Sequence, residues 1–359
     1  MLVSVIMPIH NGASCLRECL DSVVAQMFRD FEILCVDDGS TDDTASILAE
    51  YAKIDPRIRV ITQEARGAGA ARNRGLQEAR GEYLSILDAD DIFAPTMLED
   101  AVARAEQTKA DVVVYRHEKL DQRTGERVPL PRTSTPDMFP DTDVFSIDDL
   151  RQVKGRIWLR AVFGWTWDKL FRRAFVEKLG VTFQVQPIFN DMFFTYAVMA
   201  EAQRIAYLPK VLMAQRINRS SSVSNKVDAF WPFLVTSLYR LRERFLERHL
   251  DRMLPDLAAY SLYIMVHTLD KMSEETRRRA FQAYEDLAFR LLGIDLARKE
   301  IPFSARDLSI WRRYEKVFHT ASHHALCGKS SRSPFRRMIQ CYHDTGPWYT
   351  LKRLLALGR

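Results

Sequence analysis

Residues 84–91 read Leu-Ser-Ile-Leu-Asp-Ala-Asp-Asp, an apolar run that ends in three carboxylates, Asp88, Asp90 and Asp91. A buried strand excludes charge, because an unpaired carboxylate in a low-dielectric interior costs several kcal/mol. The cluster therefore belongs where a strand leaves the core. Two carboxylates two residues apart can share a hard cation such as Mg²⁺ or Mn²⁺, which prefers oxygen ligands, and a cation so held can grip a pyrophosphate. Two more apolar runs end in acids: residues 31–36 before Asp37-Asp38, and residues 58–62 before Glu64. Acids at strand ends also serve as turn formers and caps, and that role is enough for Asp42 and Asp43. For Asp38 and Asp90, two independent clusters on a shared sheet edge favour chemistry.

The elements that would position these groups alternate. Residues 2–7 read as a strand, and Leu16, Cys19, Leu20, Val23, Val24 and Met27 follow at helical spacing. Strands are predicted over 31–36, 58–62, 83–87 and 111–115. Between them, Ser40-Thr41-Asp42-Asp43 has the form of a capping box, residues 67–79 form a small-residue helix, and Pro95 opens another. This β-α-β order implies an α/β fold with a parallel, doubly wound sheet, whose strand ends share one ligand-binding edge. Residues 118–150 carry four prolines and read as a long excursion. Structure returns over 158–175, a helix is expected from Asn190 to about Ala202, and two short strands follow over 204–208 and 211–217. From about Val227 the pattern is helical.

The chain has 359 residues and a net charge of +5. Residues 301–359 alone carry 11 Lys and Arg against 3 Asp and Glu, a net +8, leaving −3 for the rest. A basic tail on a slightly acidic body suggests an anionic partner. No run is long enough to span a bilayer, and the apolar N-terminus lacks the basic flank of a signal peptide, so a cytoplasmic protein is expected. Cys15, Cys19, Cys35, Cys327 and Cys341 have no zinc or disulfide spacing, and Cys15 and Cys19 read as core filler. His319, His323, His324 and His343 fit no metal motif.

Four ordered segments carry a resemblance: Val5-Ile6-Met7-Pro8-Ile9-His10-Asn11-Gly12, Val36-Asp37-Asp38-Gly39-Ser40-Thr41-Asp42, Gly69-Ala70-Ala71-Arg72-Asn73-Arg74-Gly75 and Leu87-Asp88-Ala89-Asp90-Asp91. Together the sequence resembles family 2 glycosyltransferases, closely over about residues 1–115 and more loosely to 225. The resemblance implies a GT-A fold over residues 1–225, with a nucleotide-binding half (1–115) and an acceptor half (116–225). A helical region with a basic tail (226–359) would follow. It also implies a nucleotide-diphospho-sugar donor, usually transferred with inversion, and a divalent metal.

On that resemblance, Pro8 ends the first strand and His10 and Asn11 line the nucleotide pocket. Asp38 accepts a hydrogen bond from the base, typically uracil N3–H, since an ionised carboxylate only accepts. Arg72 faces the nucleotide or its phosphates, unless it is a solvated helix arginine. Asp88 contacts ribose or metal-bound water, Asp90 is the direct metal ligand, and Asp91 supports the site or helps bind the acceptor. The stretch Phe189-Asn190-Asp191 resembles the segment carrying the base, with Asp191 as that base and Asn190 where glutamate is usual. Capping of the helix by either residue is the plainer alternative. Trp165 and Trp167 resemble an acceptor-side stretch whose rings stack on sugars, or pack in the core. Arg216 and Arg219, read as following the last strand, would close over the pyrophosphate, arginine being suited to bidentate phosphate contact.

The expected activity is inverting transfer of a sugar, UDP-linked, to a hydroxyl of a glycan or lipid-linked saccharide in cell-surface polysaccharide synthesis. The basic tail would rest on the anionic cytoplasmic face of a membrane, or pack on the catalytic domain or a second subunit in a homo-oligomer. No nucleic acid partner is expected. A sugar nucleotidyltransferase would want a glycine-rich loop with a basic residue after the first strand, which His10-Asn11-Gly12-Ala13 does not supply. Gly67-x-Gly69-x-x-Arg72 lacks the third glycine of a dinucleotide fingerprint. A non-catalytic glycan- or nucleotide-binding protein is the other rival, against which Asp38, Asp90 and Asp191 stand.

Overall fold

The computed structural model describes residues 2–129, 135–153, 157–218, 227–284 and 292. The first part alternates: β1 (Val3–Ile9), α1 (Ala13–Val24), β2 (Phe31–Asp38), α2 (Thr44–Ile54), β3 (Ile58–Gln63), α3 (Ala68–Glu78), β4 (Tyr83–Ile86), β5 (Ile92–Phe93) and α4 (Met97–Thr108). Then come β6 (Val112–Asp121), β7 (Arg127–Pro129), α5 (Ile147–Arg151), α6 (Trp158–Ala161), β8 (Lys169–Arg172), α7 (Arg173–Leu179), α8 (Asn190–Glu201) and β9 (Ile205–Ile217). Three helices close the described chain: α9 (Val227–Glu247), α10 (Leu254–Leu269) and α11 (Glu274–Ala283).

The sheet order is β3-β2-β1-β4-β8-β6-β9-β5, and β7 pairs the far end of β6 on the edge whose start is taken by β8. Strands β3, β2, β1 and β4 run parallel. Chain direction across the sheet reverses at β1, whose neighbours are β2 and β4, and a crevice opens beyond the carboxyl ends of such strands. Register fixes what lies there: Ile9 is level with Asp37, and Asp38 with Gln63. Strand β8 enters antiparallel between β4 and β6, and β9 returns parallel to β6.

Alternation along β1 sends Val3, Val5 and Met7 to one face and Ile6 to the other. The first face is covered by α1, α2 and α4; on α1 the buried set is Cys15, Leu16, Cys19, Leu20 and Val23, so both cysteines are core filler as expected. The second face is covered by α8 and by helices packed outside it. The stripe of Gly69, Ala71, Arg72 and Gly75 lets α3 approach closely: a Cβ on Gly75 would lie 2.3 Å from Ile6 Cγ2.

Three expectations change. The excursion over 118–150 is partly structured, because β6 extends to Asp121 and turns into β7, and Ser146 with Asp149 forms a capping box on α5. The capping box expected at residues 40–43 is absent; Asp42 instead accepts from the backbone N–H groups of Thr44 and Ala13, stapling the start of α2 to that of α1. The two strands expected over 204–217 are one, with register shifts against β6 at Tyr115–His117. Gln215, Arg216 and Ile217 therefore lie inside β9, not after it. Among the described residues no helix is long and apolar enough to cross a membrane. Arg219, the basic tail, its histidines, Cys327 and Cys341 lie outside the described residues.

Candidate active site

The first group of candidate residues gathers at the ends of β1, β2 and β4. Pro8 is half-buried near the end of β1, and His10 and Asn11 emerge exposed at the sheet edge. His10 Nδ1 lies 2.8 Å from the Asp38 carbonyl oxygen. Asn11 has a left-handed backbone (φ 48°), accepts from Thr41 N–H at 2.8 Å and donates its own N–H to Ser40 Oγ at 3.0 Å. The Asp38 carboxylate is buried and accepts from Gln63 Nε2 (2.7 Å), Arg66 N–H (2.9 Å) and Gly67 N–H (2.6 Å). A carboxylate offers about four acceptor directions, so about one is left for an incoming donor. These partners hold Asp38 in place and tie it to the start of α3.

Asp88, Asp90 and Asp91 each have a carboxylate oxygen within 4.8 Å of the others. Asp88 and Asp90 are half-buried. Asp91 is 2% exposed and accepts from the Arg216 N–H at 2.9 Å. Burial pushes its carboxyl well above the usual carboxylate range, and Asp90 and Asp88 push it further. So enclosed, Asp91 cannot meet an acceptor, and its expected role there is corrected to support of the loop. Arg216 is corrected too: its Nε donates to the Asp90 carbonyl oxygen at 2.8 Å, its Nη2 to Glu18 at 2.5 Å and its Nη1 to Gln122. Its donors brace the cluster's backbone and do not face a pyrophosphate.

Arg72 is no solvated helix arginine. It is 5% exposed, lies 5.5 Å from the centre of the Phe183 ring, and bridges the two halves of the site. Its Nη2 donates to Asp88 at 2.5 Å and its Nη1 to the side-chain oxygen of Asn190, the first residue of α8. Asp191 follows in the first turn of that helix without capping it. Burial raises the Asp191 carboxyl to about 6; Arg72 pulls it down and Asp88 up. The plainer capping reading fails because α8 has no side-chain cap.

Beside α8, Trp165 is partly exposed and stacks on Phe163 (4.6 Å between centroids) and on Trp167 (4.7 Å). Trp167 is 2% exposed, so of the expected acceptor-side pair only Trp165 offers surface and Trp167 is core.

With this geometry in view, comparison with known proteins is informative. Over residues 4–180 the sequence matches the family described as Glycosyl transferase family 2. Residues 4–180 belong to glycosyltransferase family 2. The chain is 33% identical over 222 residues to the uncharacterized glycosyltransferase EpsJ of Bacillus subtilis, covering 61% of this chain and 62% of EpsJ. It is 29% identical over 232 residues to the cholesterol galactosyltransferase of Borreliella burgdorferi, covering 63% of each. The match thus spans less than two thirds of these relatives. Among solved structures, S. aureus TarS (residues 1–349, with UDP) superposes with a TM-score of 0.62 at 22% identity, covering 89% of this chain and 92% of TarS. The fold is therefore of the GT-A type that this family uses.

The family implies a divalent metal, and the residues fit one. Three hard oxygen donors converge, and burial and mutual repulsion leave the buried member's carboxyl displaced upward, as expected where positive charge is wanted. Sequence reasoning missed the groups around these residues. Gln63 and the 66–67 backbone on Asp38, and Phe183 beneath Arg72, carry no local signal. Asp168-Lys169 did: two charges inside an apolar stretch, both fully buried here.

Proposed function

We propose that the protein is an inverting glycosyltransferase that moves a sugar from a UDP-linked donor to a hydroxyl of a glycan or lipid-linked saccharide, in cell-surface polysaccharide synthesis. The observation that carries this reading is the Arg72 bridge, whose buried guanidinium donates to Asp88 of the acidic cluster at one end and to Asn190 at the other, next in the chain to the raised carboxyl of Asp191. Asp90 and Asp88 would hold a divalent cation, which when bound supplies positive charge to the departing diphosphate. Asp38 would read the base with its remaining acceptor direction, and His10 and Asn11 would line the nucleotide edge. Asp191 would accept the proton of the acceptor hydroxyl as its oxygen attacks the anomeric carbon. The bond from that carbon to the diphosphate oxygen breaks on the opposite face, and the nucleoside diphosphate leaves with the electron pair. Arg72 stays charged throughout and holds the base helix against the cluster. The partly exposed stack of Phe163 and Trp165 would contact the acceptor sugar.

TarS has been seen with UDP and with UDP-GlcNAc, so a donor panel should begin with those. UDP release from a panel of nucleotide sugars, with and without Mn²⁺, tests the reading. Asp90→Asn should abolish metal-dependent donor binding. Asp191→Asn should keep donor binding and lose transfer by roughly 10²–10⁴-fold. Transfer at the normal rate by Asp191→Asn would remove it as the base, and no metal-dependent response to any donor would sink the assignment.

A further inference from the structure

Lys169 is fully buried, and its Nζ is surrounded by three acceptors: the Asp168 carboxylate at 2.5 Å, the Trp165 carbonyl oxygen at 2.8 Å and the Phe163 carbonyl oxygen at 3.2 Å. Three acceptors require three N–H groups, so the side chain is an ammonium. A buried ion pair is a poor device for stability, since an apolar pair of similar volume often does as well. What it adds here is position. The two carbonyls belong to the segment Phe163-Gly164-Trp165, whose first residue is held in a left-handed conformation (φ 36°) that a phenylalanine rarely adopts. Gly164 lies flat against the start of α8: a Cβ there would come 3.0 Å from Tyr196 Cε2 and 3.3 Å from Met192 Cα. The same segment presents the partly exposed Phe163 and Trp165 rings. Below them, Trp167 completes the stack, and His117 meets Trp167 and Trp165 edge-on at 4.6 and 5.3 Å. His117 Nδ1 lies 3.8 Å from the second Asp168 oxygen.

We propose that Lys169 is a positioning residue whose ammonium clamps this segment so that the stacked Phe163 and Trp165 rings form a rigid aromatic platform, with Phe163 as its outer layer, for the acceptor's pyranose ring. This rests on the glycosyltransferase reading and names the part of the chain that receives the acceptor. Aromatic faces suit the C–H-rich face of a pyranose, and a platform fixed before binding loses less entropy on binding. Without the clamp, the left-handed Phe163 would relax and the platform would lose its register with α8.

The test uses the full chain and saturation-transfer NMR with methyl β-D-glucopyranoside, methyl β-D-galactopyranoside and methyl 2-acetamido-2-deoxy-β-D-glucopyranoside. The wild type should give a signal with at least one, and Trp165→Ala should abolish it. The double variant Lys169→Met with Asp168→Asn removes the ammonium without stranding a buried carboxylate. It should lose the signal at least fivefold while its affinity for UDP with Mn²⁺ stays within twofold of wild type; a merely structural role would move both together. An unchanged signal in the double variant overturns the clamp, and no signal from any of the three sugars with the wild type overturns the platform. If the double variant fails to fold, Gly164→Val, whose branched side chain reaches beyond a Cβ already 3.0 Å from Tyr196 Cε2 and so displaces the segment with the ion pair intact, must lose the signal, and retention overturns the proposal. Sugar signals that persist while no donor yields UDP would instead overturn the glycosyltransferase reading and leave the platform standing.

Discussion

At the scale of single residues, Arg72 ties the acidic cluster to the first turn of α8, and Asp191 in that turn and Asp88 in the cluster make opposite demands on their surroundings. Asp191 is held with its carboxyl raised to about 6, chiefly by burial. If Asp191 is the proposed base it must be ionised to act, so the turnover rate should climb as pH rises through about 6 and level off above it. A pH–rate profile flat from 5 to 8 would contradict this. The same displacement costs stability. Between the ordinary carboxylate range near 4 and about 6 the folded chain binds more protons than the unfolded one, so stability falls as pH rises through that window and stays reduced above it. Asp191→Asn should therefore raise the melting temperature at pH 7.5, with the gain fading below pH 6 and gone near pH 4. Thermal scans at several pH values read this directly. On the other side of the bridge, Arg72 donates to Asp88 at 2.5 Å and so competes with any cation for that carboxylate. Arg72→Gln should bind Mn²⁺ more tightly than wild type without nucleotide, by roughly fivefold or more, the size expected from removing one nearby charge. Electron paramagnetic resonance titration with Mn²⁺ alone measures it, and equal or weaker binding would show that Arg72 and the cation do not compete.

At the scale of elements, function depends on how closely α3 lies against the approach to α8. A Cβ on Gly69 would fall 2.0 Å from the Gln184 carbonyl oxygen and 3.3 Å from Asn190 Cβ. The first contact is with backbone, which cannot swing away. Gly69→Ala should destabilise the fold by about 1–3 kcal/mol. It should also depress transfer more than donor binding, because it moves Asn190 and Asp191 away from Arg72. A variant with wild-type stability and rate would show that the segment before α8 is soft. Local pattern revealed the elements of the first half well: β1 to β4 and α3 lie within two residues of their expected bounds, because each strand is an apolar run punctuated by turn residues. It failed where partners are distant. Nothing near residue 116 announces that β6 continues, since those residues are ordered by pairing with β9 a hundred positions later. The antiparallel entry of β8 is likewise a choice made by the sheet. At the candidate site, the acidic cluster was visible from residue type and order, whereas Asp191 was singled out by the resemblance alone. Arg216 misled because its neighbours read as a loop, while register places it inside β9 with its donors turned onto Asp90, Glu18 and Gln122. Lys169 drew no reading from the sequence, because the role of a charge in an apolar strand needs the 163–165 backbone to be seen.

At the scale of the whole molecule, one apolar cluster runs without a break from sheet residues Ile6, Leu34, Ile86 and Val112, through α8, to α9, α10 and α11. Trp158 stands between Tyr196 of α8 (5.7 Å between centroids) and Phe245 of α9 (6.4 Å), and Tyr196 in turn meets Tyr260 of α10 at 5.3 Å. Arg244 adds a charge link, donating to Glu201 at the end of α8 and to the Leu179 carbonyl oxygen. The C-terminal helices are therefore the outer wall of α8, the helix that carries Asp191, and their loosening should be felt at that residue. Phe245 is fully buried in that wall. Phe245→Ala should cost about 3–5 kcal/mol through lost burial and the cavity left behind. If sheet and helices share one cooperative core, the cost will appear as a shift of the whole unfolding transition, with UDP binding and far-ultraviolet circular dichroism lost together. If the helices are instead an appendage with their own core, the variant will show an early, separate transition that leaves UDP binding intact to the wild-type midpoint. Calorimetry alongside a UDP-binding melt separates the two outcomes, and the continuous packing around Trp158 and Tyr196 predicts the single transition.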